Sequence, residues 1–460
     1  MKNSRETEIF ETLPVPTALR KMAVPTIMGQ IIVLIYNLAD TFYVGMTGNP
    51  YMVAGVSLIL PVFNVLIALA CLPGTGGGTY VSRLLGMDRR GEASKVTAYS
   101  IRMGLYLALA FSVLTAVFMD EILTLLGAGE NTFTYSKQYV TCVIVIGGVP
   151  TILANVLSNM LRSTGRSSEA GFSVALGGVL NIVLDPLFMF VLLPKGDEII
   201  GVGVATLISN VISCIYSIAV IYKDRHETVI SIRDASVEKN SVKEVFNVGF
   251  PAFFVMLLFD VDYMIIDRLM AGYSDIALAA VGIVLKAERL PLNVGIGICQ
   301  AMTPIVAYNY ASGNRERMHR TYRLACLWGI IVGVVSITLY EIFAGSIIRF
   351  FINDADTIAL GASFLRARSP ATLFMFLSFF TVHLFQSFGK GDTALYLGIQ
   401  RWILLNIPML FILNRFFGIY GIVWAQLTAD LINAAISFIV FNRFRKRELD
   451  NNKYGGNSWT

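Results

Sequence analysis

Residues 52–74 read MVAGVSLILPVFNVLIALACLPG, an apolar run without one charged side chain. A helix needs about 20 such residues to cross the hydrocarbon core of a bilayer. A strand of a membrane barrel is about half that length and alternates apolar with polar residues, which this run does not. Lipid offers backbone N–H and C=O groups no partner, so each hydrogen bond must close within the segment. The stretch is therefore predicted to be a membrane-spanning helix.

Working outward, comparable runs lie at about 19–43, 97–118, 137–157, 170–193 and 201–222 in the first half of the chain. The second half has them at about 246–270, 277–300, 322–345, 358–387, 394–415 and 419–441. The fold class that follows is an all-α polytopic membrane protein of about twelve transmembrane helices. The composition agrees, since 55% of the 460 residues are hydrophobic and only 15% are charged, against roughly a quarter charged in a soluble domain. The five cysteines (Cys71, Cys142, Cys214, Cys299, Cys326) lie in or beside apolar runs without a C-x-x-C pair. They read as buried thiols, neither a disulfide framework nor a zinc site. Residues 1–16 are polar and lack the short apolar core of a signal peptide.

The net charge of +5 is set by loops that alternate along the chain, which argues for topology and against nucleic acid. With the N-terminus cytoplasmic, the inner side holds Arg83, Arg89, Arg90, Lys95, Arg162, Arg166, Arg315 to Arg323, Lys390 and Arg443 to Arg447. Roughly 25 of the 36 Lys and Arg residues then fall inside and about five outside. Both termini are expected in the cytoplasm of a multi-pass plasma (cytoplasmic) membrane protein. The organisation read from this is a six-helix lobe at 1–222, a polar linker at 223–244, a second six-helix lobe at 245–445 and a polar tail at 446–460.

The halves repeat one another. Pro25 opens a run that ends Asp40-Thr-Phe-Tyr-Val-Gly45, and Pro251 opens one that ends Asp267-Arg-Leu-Met-Ala-Gly272. Ser82-Arg-Leu-Leu-Gly86 likewise matches Tyr310-Ala-Ser-Gly313. Six spans per repeat is an even number, so the repeats are parallel, related by an axis along the membrane normal. Two such bundles enclose a cavity about which they can rock.

Three stretches carry a family resemblance: Gly76-Gly-Gly-Thr-Tyr-Val-Ser-Arg-Leu-Leu-Gly86, Asn181-Ile-Val-Leu-Asp185-Pro186-Leu-Phe and Pro304-Ile-Val-Ala-Tyr-Asn309. They resemble the multidrug and toxic compound extrusion (MATE) transporters, and Leu60-Pro-Val-Phe63 with the serine–arginine loop is similar to the MepA-type branch. The resemblance covers nearly the whole chain. It implies a secondary active antiporter that exports small organic cations in exchange for H⁺ or Na⁺ by rocking-bundle alternating access. No cofactor, no enzymatic activity and no partner beyond substrate and bilayer are implied, and a monomer suffices. The alternative is a lipid-linked oligosaccharide flippase of the wider superfamily, toward which Lys286 and Arg289 point. A membrane-embedded enzyme would need a convergent nucleophile, base or metal set, and none stands out.

Ionisable groups inside a span are costly and each needs a reason. Asp40, near the outer end of the first span, is either an interfacial carboxylate in water or a cation-binding acid able to carry a proton; in similar transporters the acid at this position couples transport to the ion. Asn181 and Asp185 are one helical turn apart on one face of the fifth span, and the resemblance places them beside the first-span acid. Asp40, Asn181 and Asp185 would form a hard-oxygen set suited to Na⁺ or a shared proton. No other metal site is read. Asn155 and Asn159 in the fourth span and Thr206 in the sixth either join that set or glue helices together.

In the second half, Asp260 and Asp262 sit mid-span in the seventh run, and Lys286, Glu288 and Arg289 mid-span in the eighth. Neighbouring spans with opposite charges predict ion pairs between the two groups, facing the cavity, either as a fixed network or as a switch. His383 in the tenth span and Asp430 in the twelfth read as lone polar groups, and with Gln386 on the next turn His383 borders the cavity. Gly74-x-Gly76-Gly77-Gly78 ends a span and is followed by no Lys-Ser/Thr, so it reads as close helix packing and not as a phosphate loop.

Overall fold

The computed structural model describes residues 7–450, without the side chains of Asp260 and Asp450. Among the described residues ten helices are long and apolar enough to cross a membrane, and two bent pairs complete twelve spans. The first lobe holds α1 (Val15–Met46), α2 (Pro50–Gly86), α3 (Arg90–Val117), α4 (Glu130–Ile146 and Gly148–Ser163), α5 (Ser167–Leu192) and α6 (Glu198–Lys223). The second holds α7 (Lys239–Ala271), α8 (Asp275–Ala311), α9 (Arg315–Phe351), α10 (Ala355–Arg368 and Ala371–Ser387), α11 (Gly391–Phe417) and α12 (Ile419–Leu449).

The helices run past the apolar stretches at most ends, because a helix continues through an interface until a turn residue stops it. Gly48, Gly127, Gly165, Gly313, Gly389 and Gly418 all have positive φ at such ends, a conformation that glycine adopts without a Cβ penalty. The expected linker shrinks for this reason: residues 239–244 are already the first turns of α7, and the helix of α12 runs on into the segment read as tail. The part of that tail beyond residue 450 lies outside the described residues. The two bends are each 48°. The one in α10 falls at Ser369-Pro370, where the proline lacks an N–H, and the one in α4 at Gly147, three residues before Pro150.

Large apolar side chains such as Tyr106, Val113, Ile215, Phe343 and Phe438 are exposed on the outer faces of the bundle, as helices that face lipid require. Inside, the packing divides unevenly. At the end that carries Ile9, Leu449 and the basic loops, one core joins the lobes, with Phe10, Leu19, Met22, Leu84 and Met160 against Val245, Ile305, Met318 and Phe385. At the opposite end each lobe keeps its own core: Val44, Ile59, Tyr139 and Val202 in the first, Ile266, Val281, Ile348 and Ile422 in the second.

The shared core requires close backbone approach. A Cβ on Gly76 of α2 would collide with the Val245 carbonyl and with Gly249 of α7, and one on Gly249 would meet the Leu72 carbonyl. Arg83 of α2 adds an ion pair across the same seam, 2.9 Å from Glu244 of α7. The lobes are thus joined at the basic end and separate toward the other, the arrangement of a bundle pair open on one side.

Candidate functional site: two lobes, two polar clusters

A heptad stripe builds the first-lobe cluster. Gly171 and Gly178 stand seven residues apart on α5, and α1 packs against both: a Cβ at Gly171 would strike the Pro25 carbonyl, and one at Gly178 would meet Ile32. A further seven residues along the stripe is Asp185, which by the same parallel register meets α1 at Asp40. The two carboxyl groups are near enough to interact directly. Carboxylates only accept, so a hydrogen bond between them would require a proton on one of them.

Asp185 is completely buried. Asn181 donates its Nδ2 to Asp185 Oδ1 at 3.2 Å and to Thr206 Oγ1 of α6 at 3.3 Å. Tyr36 and Tyr139 flank the pair. Three buried oxygens, Asp40 Oδ1, Asp185 Oδ2 and Asn181 Oδ1, have no hydrogen-bond donor. Among the described residues no Lys or Arg pairs with either carboxyl. A set of oxygen acceptors without donor or counter-charge fits a small hard cation or a proton. Asn155 and Asn159 belong elsewhere: Asn159 donates to the Asn155 carbonyl at 3.0 Å and accepts from Arg162 at 3.3 Å, nearer the basic end.

The second-lobe cluster is denser and carries its own cations. Asp262 is completely buried and accepts from Asn406 of α11, which also reaches Gln426 of α12 at 3.3 Å. Gln426 donates to Asp430, and Arg401 grips the same carboxylate with Nε at 2.6 Å and Nη2 at 3.2 Å. The Arg401 guanidinium also lies over the rings of Trp402 and Phe379, at 4.0 and 4.7 Å. Glu288 of α8 receives a bidentate pair from Arg368, at the bend of α10, at 2.9 and 3.0 Å.

These partners differ from those expected. Glu288 pairs with α10 instead of α7, and Asp262 pairs with an amide instead of Lys286 or Arg289. The side chains of Lys286 and Arg289 are exposed, and Arg289 lies 5.4 Å from the ring of Tyr263 of α7. The reason is angular: on one helix, residues 286 and 289 cannot share the inward face that 288 occupies. The side chain of Asp260 lies outside the described residues. Asp430 is not lone, since Arg401 holds it. His383 Nδ1 is engaged by the Phe379 carbonyl of its own helix at 3.0 Å. Arg401, Arg368, Asn406 and Gln426 were not singled out in the sequence, although charges within apolar runs marked the first two. A wide helical turn at Gln400–Asn406 turns both Arg401 and Asn406 inward.

On the side away from the basic loops, a cleft of about 660 Å³ opens on the first lobe, lined by Tyr51, Leu58 and Pro61 of α2 and Glu130 of α4, with Met264 of α7 at its edge. It offers apolar and aromatic surface with a single carboxylate.

The duplicated bundle, the separated cores and the buried carboxyl pair define an alternating-access membrane transporter. The chain belongs to the MatE family, which matches it twice, at residues 25–187 and 251–412, one match in each lobe. It is similar to the Staphylococcus haemolyticus (strain JCSC1435) protein named multidrug export protein MepA, 29% identical over 442 residues that cover 95% of this chain and 96% of that one. The protein of the same name from Staphylococcus aureus (strain MSSA476) is also 29% identical, with the same coverage. Among solved structures, the fold matches a multidrug resistance MATE family transporter of the MOP superfamily in its outward-facing conformation, with a TM-score of 0.91, 23% identity and coverage of 98% of this chain and 100% of that one. A MOP superfamily transporter from Pyrococcus furiosus matches with a TM-score of 0.89 at 22% identity, over 97% and 98% of the two chains.

Proposed function

We propose that this chain is a multidrug efflux antiporter that exports small organic cations in exchange for inward H⁺ or Na⁺, with both termini in the cytoplasm. The observation that carries the reading is the carboxyl pair Asp40–Asp185, which has no Lys or Arg partner among the described residues, with Asn181 and Thr206 beside it. Cation binding from the open side offsets the charge of the pair and lets α1 and α5 close on each other while the lobes part at the basic end. The names of the relatives support export of drugs. The acid-bearing cleft and the net-negative first-lobe cluster support a cationic cargo.

The two lobes, residues 1–222 and 245–445, move as the rocking bodies. The second-lobe network, in which Arg368 and Arg401 neutralise Glu288 and Asp430, ties α8 to α10 and α11 to α12. Each net charge moved inward per cycle draws about 2.3 kcal/mol from 100 mV, while a one-for-one exchange of monovalent cations is electroneutral and draws on the ion's concentration gradient alone. No enzymatic step and no bound cofactor enter this scheme.

The test is uptake of a fluorescent organic cation into inside-out vesicles under separately imposed pH and Na⁺ gradients. Uptake driven by one gradient, and lost in Asp40→Asn and Asp185→Asn, is expected. Uptake that survives both substitutions moves coupling out of the first lobe. Absence of uptake under either gradient removes the antiport reading.

A further inference from the structure

Near the basic end of the seam, Arg162 of α4 is 8% exposed, and no Asp or Glu among the described residues pairs with it. Its partners are neutral oxygens: Ser158 Oγ at 2.9 Å, Asn159 Oδ1 at 3.3 Å and, across the lobe boundary, Gln300 Oε1 of α8 at 2.9 Å. Gln30 of α1 donates to the same Gln300 oxygen at 3.1 Å. The Nε of Arg162 has no partner at all. The other buried arginines, Arg83, Arg166, Arg368 and Arg401, each face a carboxylate.

A buried guanidinium without a counter-ion is costly to leave unpaired, and this one is held by an oxygen that belongs to the other lobe. When the lobes part at the basic end, α8 withdraws Gln300. Two donors, Arg162 Nη1 and Gln30 Nε2, then converge on the place that its oxygen filled, with Arg162 Nε free beside them. A fork of guanidinium N–H groups is matched by the two oxygens of a carboxylate, which it takes bidentately and far more strongly than an amide oxygen.

We infer that Arg162 and Gln30 form a carboxylate-binding site that the Gln300 oxygen occupies in the closed seam and a substrate occupies when the seam opens. The cargo range then includes zwitterions, organic cations that also bear a carboxylate. Their anionic end is held by Arg162. This rests on the alternating-access reading above and narrows its substrate class. Returning Gln300 to Arg162 as the seam closes displaces the carboxylate, so the competing amide also serves release.

The probes are rhodamine 123, a methyl ester and a cation, and rhodamine 110, its free acid and a zwitterion at neutral pH. Wild-type inside-out vesicles are expected to accumulate both. Arg162→Gln should cut uptake of the acid by about tenfold or more while leaving the ester within about twofold, and Arg162→Lys should lie between. Equal loss of both dyes makes the residue a structural latch and overturns the site, as does unchanged acid uptake or a wild type that moves only the ester.

Ester uptake that fails in the wild type is a failure of the transport reading instead. In that case fluorescence anisotropy of rhodamine 110 on purified protein decides the site. Binding weakened by Arg162→Gln and strengthened by Gln300→Ala, which removes the competing oxygen, supports it; binding indifferent to Arg162→Gln, or weakened by Gln300→Ala, overturns it.

Discussion

The two lobes build the same skeleton and then fill it differently. In the first, Asn181 of α5 reaches Thr206 of α6 at 3.3 Å; in the second, Asn406 of α11 reaches Gln426 of α12 at the same distance. Each asparagine begins an Asn-Ile pair, and each partner ends a stretch that opens with glycine, Gly201 to Thr206 and Gly421 to Gln426. Four residues after the asparagine the first lobe has Asp185 and the second has Leu410, both completely buried. The second lobe also has Arg401 and Arg368 fixed on Asp430 and Glu288. One lobe therefore pairs two of its buried acids with its own arginines. The other leaves Asp40 and Asp185 without a Lys or Arg partner among the described residues. Duplication gave two equivalent frames, and the placement of arginine distinguishes them.

The largest test of that contrast is to remove a built-in cation. Arg401→Leu leaves Asp430 buried and unpaired and should destabilise the purified protein by about 3–5 kcal/mol, seen as a lowered thermal midpoint. Adding Asp430→Leu should recover most of it, since an apolar pair of similar volume can replace a buried ion pair. A single variant as stable as the wild type would break the comparison on the second-lobe side.

In the first lobe the effect should fall on transport and not on stability. Asp185→Asn is expected to lower gradient-driven uptake by over tenfold, about 1.4 kcal/mol or more, with an unchanged or raised midpoint because one acid of a crowded pair is gone. An equal loss from Asp262→Asn would mean that the lobes are not specialised. Ion binding sharpens the point further. If Na⁺ is the coupling ion, replacing choline by Na⁺ at about 100 times Kd should stabilise the wild type by about 2.7 kcal/mol and leave Asp185→Asn unmoved. A wild type indifferent to the exchange assigns coupling to the proton. The smallest effect belongs to Arg289, whose charge, among the described side chains, lies over the rings of Phe259 and Tyr263. Arg289→Met should cost about 0.5–1 kcal/mol, and a loss on the scale of Arg401→Leu would return Arg289 to the ion network.

The sequence was readable wherever one residue property repeats locally. Apolar runs such as 52–74 specify spans because lipid allows the backbone no other solution, and the repeated Asp40 and Asp267 segments specify two lobes. The Asn181–Asp185 face was legible for the same reason, since helical spacing places them together whatever else surrounds them. Pairing across helices was not legible. Glu288 could have met α7 or α10, and only the bend at Ser369-Pro370 and the packing around it carry Arg368 to Glu288.

Likewise, nothing local in Gln300 says that its oxygen ends up on Arg162 of the other lobe, or that Asp430 has Arg401 within reach. By itself the sequence determined the helices, their number, their duplication and one acidic face. The tertiary structure decided which charges cancel and which remain, because ion pairing depends on distances of a few ångströms between segments far apart in the chain.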